Sequence, residues 1–202
     1  MYPELTATIN SLPISEISSD RKTNLQQIID YINDKMFKNE PVKLNFICTH
    51  NSRRSQFAQV WAHIAAYQNN IEVETFSGGV EVTAFNENAV KTLENEGFSI
   101  SKKGKVNPHY HLSFSSKVDS ISAYSKIFDD KTNPATGFAA IMTCSDADEN
   151  CPFIPGAIAR IPLLYDDPKE FDNTSLMAEK YKERSRQIAT EMFYIFSNID
   201  AQ

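Results

Sequence analysis

A short apolar strand runs directly into a polar loop and then into a helix in the segment 43–67. Residues 43–47 form a compact apolar run, and residues 56–67 carry apolar side chains at helical spacing. Strands that alternate with helices favour an open parallel sheet of about four strands with helices on both faces, a three-layer αβα fold. The same patterns predict further strands at 71–76, 109–115, 138–143 and 158–164, and helices at 86–96 and 175–198.

The first 41 residues differ from the rest of the chain. Apolar side chains recur at helical spacing through residues 25–36, and Pro41 lies just beyond the expected helix end. We therefore expect an N-terminal helical extension at 1–41 and one α/β domain at 42–202. The extension is expected to cover an apolar surface of that domain, and a dimer contact is the alternative.

Composition narrows the functional classes. A formal charge of −6 disfavours nucleic acid and anionic lipid as partners. No signal peptide and no apolar stretch long enough to span a membrane is recognised, so a cytoplasmic protein is expected. Three cysteines are an odd number, which disfavours a structural disulfide framework and leaves reactive or buried thiols.

The loop after the first strand is suited to binding an oxyanion. Cys48 and Arg54 are separated by five residues, and Ser55 follows directly. A loop wrapped at a helix N-terminus aims backbone N–H groups at one point, where the helix dipole adds positive potential. The Arg54 guanidinium matches two oxygens of a tetrahedral anion, while the same field favours the thiolate of Cys48 and Ser55 is placed to donate to it. The expected anion-binding residues are Thr49, His50, Asn51, Ser52, Arg53 and Arg54.

Other interpretations of this loop remain open. A lone cysteine at a strand end is commonly a small buried apolar residue. Arg53 is expected to point into solvent and His50 to fill the loop rather than act as a base.

The other two cysteines of the chain follow the strand 138–143. Six residues lie between Cys144 and Cys151, in an acidic segment. A straight helix would hold the two about 10 Å apart, whereas a disulfide needs Cα atoms within about 4.4–6.8 Å, so oxidation requires the segment to rearrange. Two inert core thiols, or a zinc site using all three cysteines and a histidine, are the alternatives.

Asp167 lies in an Asp166-Asp167-Pro168 stretch after the strand 158–164. Ligands of open α/β sheets bind at the carboxyl edge of the strands, so Asp167 is a candidate acid for a departing oxygen. An ordinary turn aspartate before proline is the alternative.

Together these motifs resemble the thioredoxin-coupled arsenate reductases built on the low-molecular-weight protein tyrosine phosphatase fold. The likeness runs from Val42 to the C-terminus and rests on residues 46–56, 77–79, 144–152 and 166–168. The resemblance implies that Cys48 attacks arsenate and that Asp167 assists the departure of water. It further implies that Cys144 attacks Cys48 to release arsenite, that Cys151 then attacks Cys144, and that thioredoxin reduces the final disulfide. Phosphate and sulfate are the expected competing anions.

Several features depart from this family. Residues 1–41 have no counterpart in its compact members, and the stretch 101–137 is longer than expected. His50 replaces the usual glycine, and Arg53 stands where some members carry a further cysteine. No cofactor is required, although some members bind potassium beside the loop. Asn51 and Ser77 match ligand positions there, but Gln59 stands where a carboxylate is found.

Two other functional classes are weighed against the reductase. A low-molecular-weight protein tyrosine phosphatase would need only Cys48, Arg54, Ser55 and Asp167, and would give Cys144 and Cys151 no task. A redox-sensing or oxyanion-binding module without turnover is the third hypothesis.

Overall fold

A four-stranded parallel sheet forms the centre of the protein in a computed structural model that describes residues 1–150 and 153–200. The strands of this sheet are β1 (Lys43–Cys48), β2 (Glu74–Gly79), β6 (Phe138–Met142) and β7 (Ala157–Pro162). The strand order is β2-β1-β6-β7, and the register places Cys48 opposite Gly79 and Ile47 opposite Met142. A second, antiparallel sheet contains β3 (Ser99–Lys103), β4 (His109–Ser113) and β5 (Ile121–Ala123).

Helices cover both faces of the parallel sheet. They are α1 (Pro3–Asn10), α2 (Ser19–Phe37), α3 (Arg54–Gln68), α4 (Glu87–Asn95), α5 (Ser145–Asn150) and α6 (Met177–Ser197). Short 3₁₀ turns occupy Ile14–Glu16 and Pro168–Phe171. The predicted three-layer α/β fold with a parallel four-stranded sheet and an N-terminal helical segment is confirmed. No helix in the described ranges is long and apolar enough to cross a membrane.

Alternation along the strands separates two apolar clusters. Leu44 and Phe46 of β1 face the large core formed with α2, α3, α4 and α6, whereas Ile47 faces a smaller cluster. Successive strand residues point to opposite faces, so a strand buried on both faces is apolar throughout. The smaller cluster contains Cys48, Cys144 and Ala147 of α5, and it therefore joins the end of β1 to Cys144 and the start of α5.

Residues 1–41 form two helices rather than the single helix expected. Pro3 lies in the first turn of α1, where a missing N–H costs nothing, and Ser18 caps α2 by accepting a hydrogen bond from the Arg21 N–H at 3.3 Å. Leu5 and Leu25 are fully buried in the same core as the sheet. The extension is thus part of the main hydrophobic core.

Strand β2 begins at Glu74, three residues later than the predicted start at residue 71. The N–H of Ile71 donates to the carbonyl of Ala66 at 3.0 Å, and Asn70 has a φ of 55°, so this segment forms the turn that ends α3. The alternating apolar residues of the segment pack against the core from that turn.

The strand expected at 109–115 lies in the antiparallel sheet as β4. Only residues 104–108 connect β3 to β4, and such a short connection allows antiparallel pairing alone. Most of the stretch 101–137, longer than the family resemblance led us to expect, forms this sheet and the segment that returns from it to the loop after β1.

Candidate functional site

The loop 48–54 lies at the carboxyl edge of the parallel sheet, between β1 and α3. Cys48 is the last residue of β1 and is 3% exposed. Arg54 is the first residue of α3, so the N–H groups of the first helical turn face the loop. This is the strand-to-helix junction that the sequence predicts for an anion-binding loop.

A chain of hydrogen bonds ends on the Cys48 sulfur. The Asn51 amide donates to Ser55 Oγ at 2.8 Å, and Ser55 Oγ lies 3.1 Å from Cys48 Sγ. The Ser55 hydroxyl can donate to the Cys48 sulfur while its oxygen accepts from Asn51. All three residues are buried. Cys48 therefore lies at the end of a buried polar network that begins at Asn51.

The shape of the loop is fixed from outside it. Asn51 adopts a φ of 46°, and its side-chain carbonyl accepts from the Lys126 N–H at 3.0 Å. Ser125 Oγ donates to the His50 carbonyl at 2.9 Å. Gly79 on β2 passes so close that an added Cβ would lie 2.7 Å from the Asn51 nitrogen. The loop is therefore packed against backbone on one side and held by the segment 124–126 on the other.

Arg54 connects this loop to the second polar segment. Its Nη2 donates to Asp167 Oδ2 at 2.7 Å, and its Nη1 donates to the Tyr165 carbonyl at 3.0 Å. The Arg54 Nε atom is buried and has no hydrogen-bond partner among the described residues. The other Asp167 oxygen accepts from the Lys169 N–H at 3.0 Å, which caps the following 3₁₀ turn. A guanidinium and a carboxylate are thus paired at the first residue of α3.

The expectation that Arg53 points into solvent is wrong. Its side chain is 11% exposed; Nε donates to the Tyr181 hydroxyl at 2.6 Å, and Nη2 donates to Asp172 at 3.2 Å. Burial raises the pKa of Tyr181 to about 12, so its hydroxyl keeps the proton that it donates to Asp172 at 2.8 Å. These partners lie 128 and 119 residues from Arg53 and bear no local mark in the sequence.

The remaining loop residues have separate partners. Thr49 Oγ1 donates to Asp146 at 2.6 Å, and Ser52 Oγ donates to the Ala84 carbonyl at 2.7 Å. His50 is the most exposed of them, with its Nε2 3.5 Å from Glu81. A cleft of about 460 Å³ opens beside the loop, between His50, Ser52 and Arg53 on one side and the β3–β4 connection on the other.

Cys144 lies next to the loop, and its side chain is 1% exposed. Thr49 Oγ1 approaches its sulfur to 3.5 Å, and the N–H of Ala147 donates to the same sulfur at 3.4 Å. Both Cys48 and Cys144 are free thiols. Cys151, the third predicted thiol, lies outside the described residues.

The residues named for potassium do not fit a cation site. Asn51 Oδ1 already accepts from Lys126, and Ser77 Oγ donates to Gln59 Oε1 at 2.6 Å. Gln59 is neutral, and within residues 1–150 and 153–200 no group of three or more His, Cys, Asp or Glu could hold a metal ion.

The segment 124–126 supports the loop 48–54, and its sequence gives no indication of this role. Besides its contacts with His50 and Asn51, it supplies the Tyr124 carbonyl, which accepts from the Gln56 amide at 2.9 Å. Burial lowers the pKa of Lys126 to about 8. The segment carries no recognisable motif, and a lysine between a serine and an isoleucine predicts an exposed strand as readily as a buried support.

Solved structures with the same fold are known. A low-molecular-weight phosphotyrosine phosphatase from Vibrio cholerae O395 superposes with a TM-score of 0.52, at 12% identity over 77% of this chain and 95% of its own. An arsenate reductase in the phosphate binding state gives a TM-score of 0.50, at 19% identity over 79% and 99% of the two chains. The fold is that of the low-molecular-weight protein tyrosine phosphatases.

Sequence comparison identifies the family. The arsenate reductase of Brevibacillus brevis is 30% identical over 146 residues, which is 71% of this chain and 91% of the relative. That of Bacillus subtilis strain 168 is 32% identical over 129 residues, which is 64% and 76% of the two chains. A scan against protein-family models gives no match. The chain belongs to the arsenate reductase family with the low-molecular-weight phosphatase fold, and it is an enzyme of the oxidoreductase class.

Proposed function

We propose that this protein reduces arsenate to arsenite with three cysteines and is regenerated by thioredoxin. One observation carries the proposal: Cys48 lies 3.1 Å from Ser55 Oγ at the start of the loop 48–54, and a second buried free thiol, Cys144, lies against the neighbouring Thr49. A hydrolase would need the first thiol alone. Thioredoxin works in the cytoplasm, where thiols are kept reduced, and the protein is proposed to act there.

Arsenate binds in the loop in this proposal. The backbone N–H groups of residues 49–54 surround the tetrahedral anion, and the side chains of Thr49, His50, Asn51, Ser52 and Arg53 shape the loop. Arg54 donates to the anion oxygens, for which its buried Nε has spare capacity. Phosphate and sulfate have similar shape and charge and are expected to compete.

The first step joins Cys48 to arsenic. The Cys48 thiolate attacks arsenic, an As–O bond breaks, and the departing oxygen takes a proton from Asp167 and a second from solvent to leave as water. The close pair of Asp167 and Arg54, at 2.7 Å, supports this role because it places the acid beside the guanidinium that binds the anion. General acid assistance of this kind is worth roughly 10²–10⁴-fold in rate.

Reduction of arsenic takes place in the second step. The Cys144 thiolate attacks the Cys48 sulfur, the S–As bond breaks, and its electron pair stays on arsenic, which leaves as arsenite. The two cysteines form a disulfide and have together lost two electrons. The shared apolar cluster of Cys48 and Cys144 supports a direct encounter of the two sulfurs.

The third step returns Cys48 to its thiolate. Cys151 attacks the Cys144 sulfur, so that the disulfide moves to Cys144 and Cys151, and a thioredoxin dithiol then reduces it. Helix α5 spans Ser145–Asn150, the six residues that lie between the two cysteines in the sequence. Seven residues of helix rise about 10 Å, whereas a disulfide needs Cα atoms within about 4.4–6.8 Å, so the proposal requires this short helix to unwind when the disulfide forms.

A phosphatase is the second candidate. The hydrogen-bonded Cys48 and Ser55, with Arg54 and Asp167 paired beside them, are sufficient for a phosphocysteine intermediate and its hydrolysis. The two activities make different demands on Cys144, and this separates them.

The deciding experiment is NADPH consumption with thioredoxin and thioredoxin reductase, with and without arsenate. It compares the wild type with Cys48→Ser, Cys144→Ser and Cys151→Ser, and hydrolysis of p-nitrophenyl phosphate is measured on the same samples. We expect arsenate-dependent turnover in the wild type alone, and ester hydrolysis to be lost only with Cys48. Ester hydrolysis without any arsenate-dependent oxidation of NADPH would instead establish a phosphatase.

A further inference from the structure

A line of buried contacts connects the N-terminal extension to Arg54. Arg21, in the first turn of α2, donates from Nε and Nη2 to the two oxygens of Glu191 on α6, each at 2.8 Å. Glu191 Oε2 also accepts from the Tyr165 hydroxyl at 2.6 Å. The carbonyl of Tyr165 in turn accepts from Arg54 Nη1 at 3.0 Å. Asp167 follows two residues later and contacts the same guanidinium.

The middle of this line is held firmly. Glu191 is 3% exposed and Tyr165 is 5% exposed. Burial, with the neighbouring Glu191 carboxylate, raises the pKa of Tyr165 well above its ordinary value, so the hydroxyl stays a donor. The Arg21 guanidinium also lies 4.9 Å from the centre of the Tyr165 ring. Two parallel bonds between a guanidinium and a carboxylate fix orientation as well as distance.

The segment 165–169 has weaker contacts elsewhere in the protein. Asp166 contacts Arg184 of α6 at 3.1 Å, but the Asp166 side chain is 90% exposed, and exposed ion pairs hold geometry poorly. The Tyr165 N–H donates to the Thr143 carbonyl at 3.2 Å, which fixes one end of the residue. The orientation of the Tyr165 side chain, and with it the start of the segment 165–169, therefore depends on Glu191 and Arg21.

We propose that Arg21 is a positioning residue for the reaction: through Glu191 and Tyr165 it holds the segment that places Asp167 and orients Arg54. This inference rests on the proposed roles of Arg54 and Asp167. It gives the N-terminal extension a task in the active site. Removing Arg21 leaves Glu191 with one partner fewer in a buried site, so the carboxylate draws the Tyr165 hydroxyl into a new geometry.

The test compares Arg21→Met and Arg21→Lys with the wild type in arsenate turnover and ester hydrolysis. A displacement of about 1 Å in a catalytic group costs up to about 10²-fold in rate, so we expect kcat to fall at least about tenfold in Arg21→Met, with KM changed much less. Lysine keeps the charge but not the paired geometry, so Arg21→Lys should recover part of the loss. Hydrogen exchange of the amides at 165–169 should be faster in Arg21→Met.

Two control variants separate positioning from stability. Lys22→Met removes the next cation of α2, which lies over Tyr194 of α6, and should leave kcat and exchange unchanged. Leu25→Ala removes a fully buried side chain of α2 and should lower Tm while the folded enzyme keeps its kcat. If Arg21→Met does not fold, the double variant Arg21→Met/Glu191→Met removes both charges and should show the same fall in kcat with Tm restored.

The outcomes are distinct. Wild-type kcat and unchanged exchange at 165–169 in Arg21→Met overturn the inference, and so does an equal loss of kcat in Leu25→Ala. A wild type with no activity towards arsenate or p-nitrophenyl phosphate overturns the proposed function. In that case the exchange measurement still decides whether Arg21 positions the segment, because it does not depend on turnover.

Discussion

Glu96 should make the stability of this protein fall as pH rises through neutrality. It is 3% exposed at the end of α4, and Ser185 Oγ donates to its Oε2 at 2.6 Å. Trp61 Nε1 donates to the same Ser185 oxygen at 3.0 Å. Burial raises the pKa of Glu96 from 4.5 to about 7, against smaller opposing effects of the Ser185 hydrogen bond and nearby cations. The folded protein therefore holds a proton that the unfolded chain has released between these two values.

The sign and the size of the effect follow from linkage. Because the folded pKa is the higher one, the contribution to stability is fully present below pH 4.5 and is lost as pH rises to about 7. A difference of about 2.5 pKa units, at 1.36 kcal/mol each, gives about 3 kcal/mol. Glu96→Gln keeps an oxygen that accepts from Ser185 but carries no charge, so it removes this dependence.

The assay is urea unfolding of the wild type and Glu96→Gln at about pH 5 and about pH 8.5. Relative to the wild type, the variant should gain about 3 kcal/mol in unfolding free energy between the two pH values. The change with pH is the quantity to use, because the added amide N–H group alters stability equally at both. Glu94→Gln removes an exposed carboxylate of the same helix and serves as control. Equal pH dependence in Glu96→Gln and the wild type would refute the reasoning.

Further predictions concern the loop, the cation and the extension. Ser55→Ala should slow alkylation of Cys48 several-fold by removing the hydroxyl that contacts its sulfur, and an unchanged rate would contradict that role. Gly79→Ala should lower kcat/KM by about tenfold or more, because its Cβ would meet the Asn51 nitrogen at 2.7 Å and displace the loop; wild-type kinetics would show that the loop absorbs the contact. Replacing potassium with choline should leave turnover unchanged, and a clear loss would restore a cation site. Leu25→Ala should cost about 2–5 kcal/mol in unfolding free energy, since the extension is part of the core; a cost near zero would mean that it is not.

The parts of the fold that were predictable are those fixed by neighbours in sequence. Residues 43–67 specify strand, loop and helix within one continuous segment, and the spacing of Cys48 and Arg54 needs no information from elsewhere. The start of β2 was misplaced because Ile71 and Val73 alternate like a strand. Their backbone is instead used to end α3, and apolar alternation does not distinguish a strand from a turn packed on the core.

The antiparallel sheet shows a second limit. A strand was expected at 109–115, and β4 is present there, but its partner could be assigned only by noticing that residues 104–108 leave no space for a crossover. Connection length thus carries topological information that the pattern within a strand does not.

The same difference between local and distant residues applies to the candidate site. Cys48 and the hydrogen-bonded groups that reach its sulfur lie within eight residues, from Cys48 to Ser55, and the sequence predicts the contact of Cys48 with Ser55. The environment of the two arginines comes from the segment 165–172 and from α6, more than 100 residues away, and Arg53 was misjudged for that reason. The loop 48–54 can be recognised from its own residues. The partners of Arg53 and Arg54, in contrast, are determined by the tertiary fold.

The distant partners of the two arginines allow an extension of 41 residues to affect a loop that it does not contact. Helix α6 contacts α2 through Glu191 and the first turn after β1 through Tyr181, which accepts from Arg53. Helix α6 therefore anchors Arg53 directly through Tyr181, and it reaches Arg54 only through Glu191 and Tyr165. If these residues have the proposed roles, a change at the surface between α2 and α6 alters the loop without any contact between the extension and the anion.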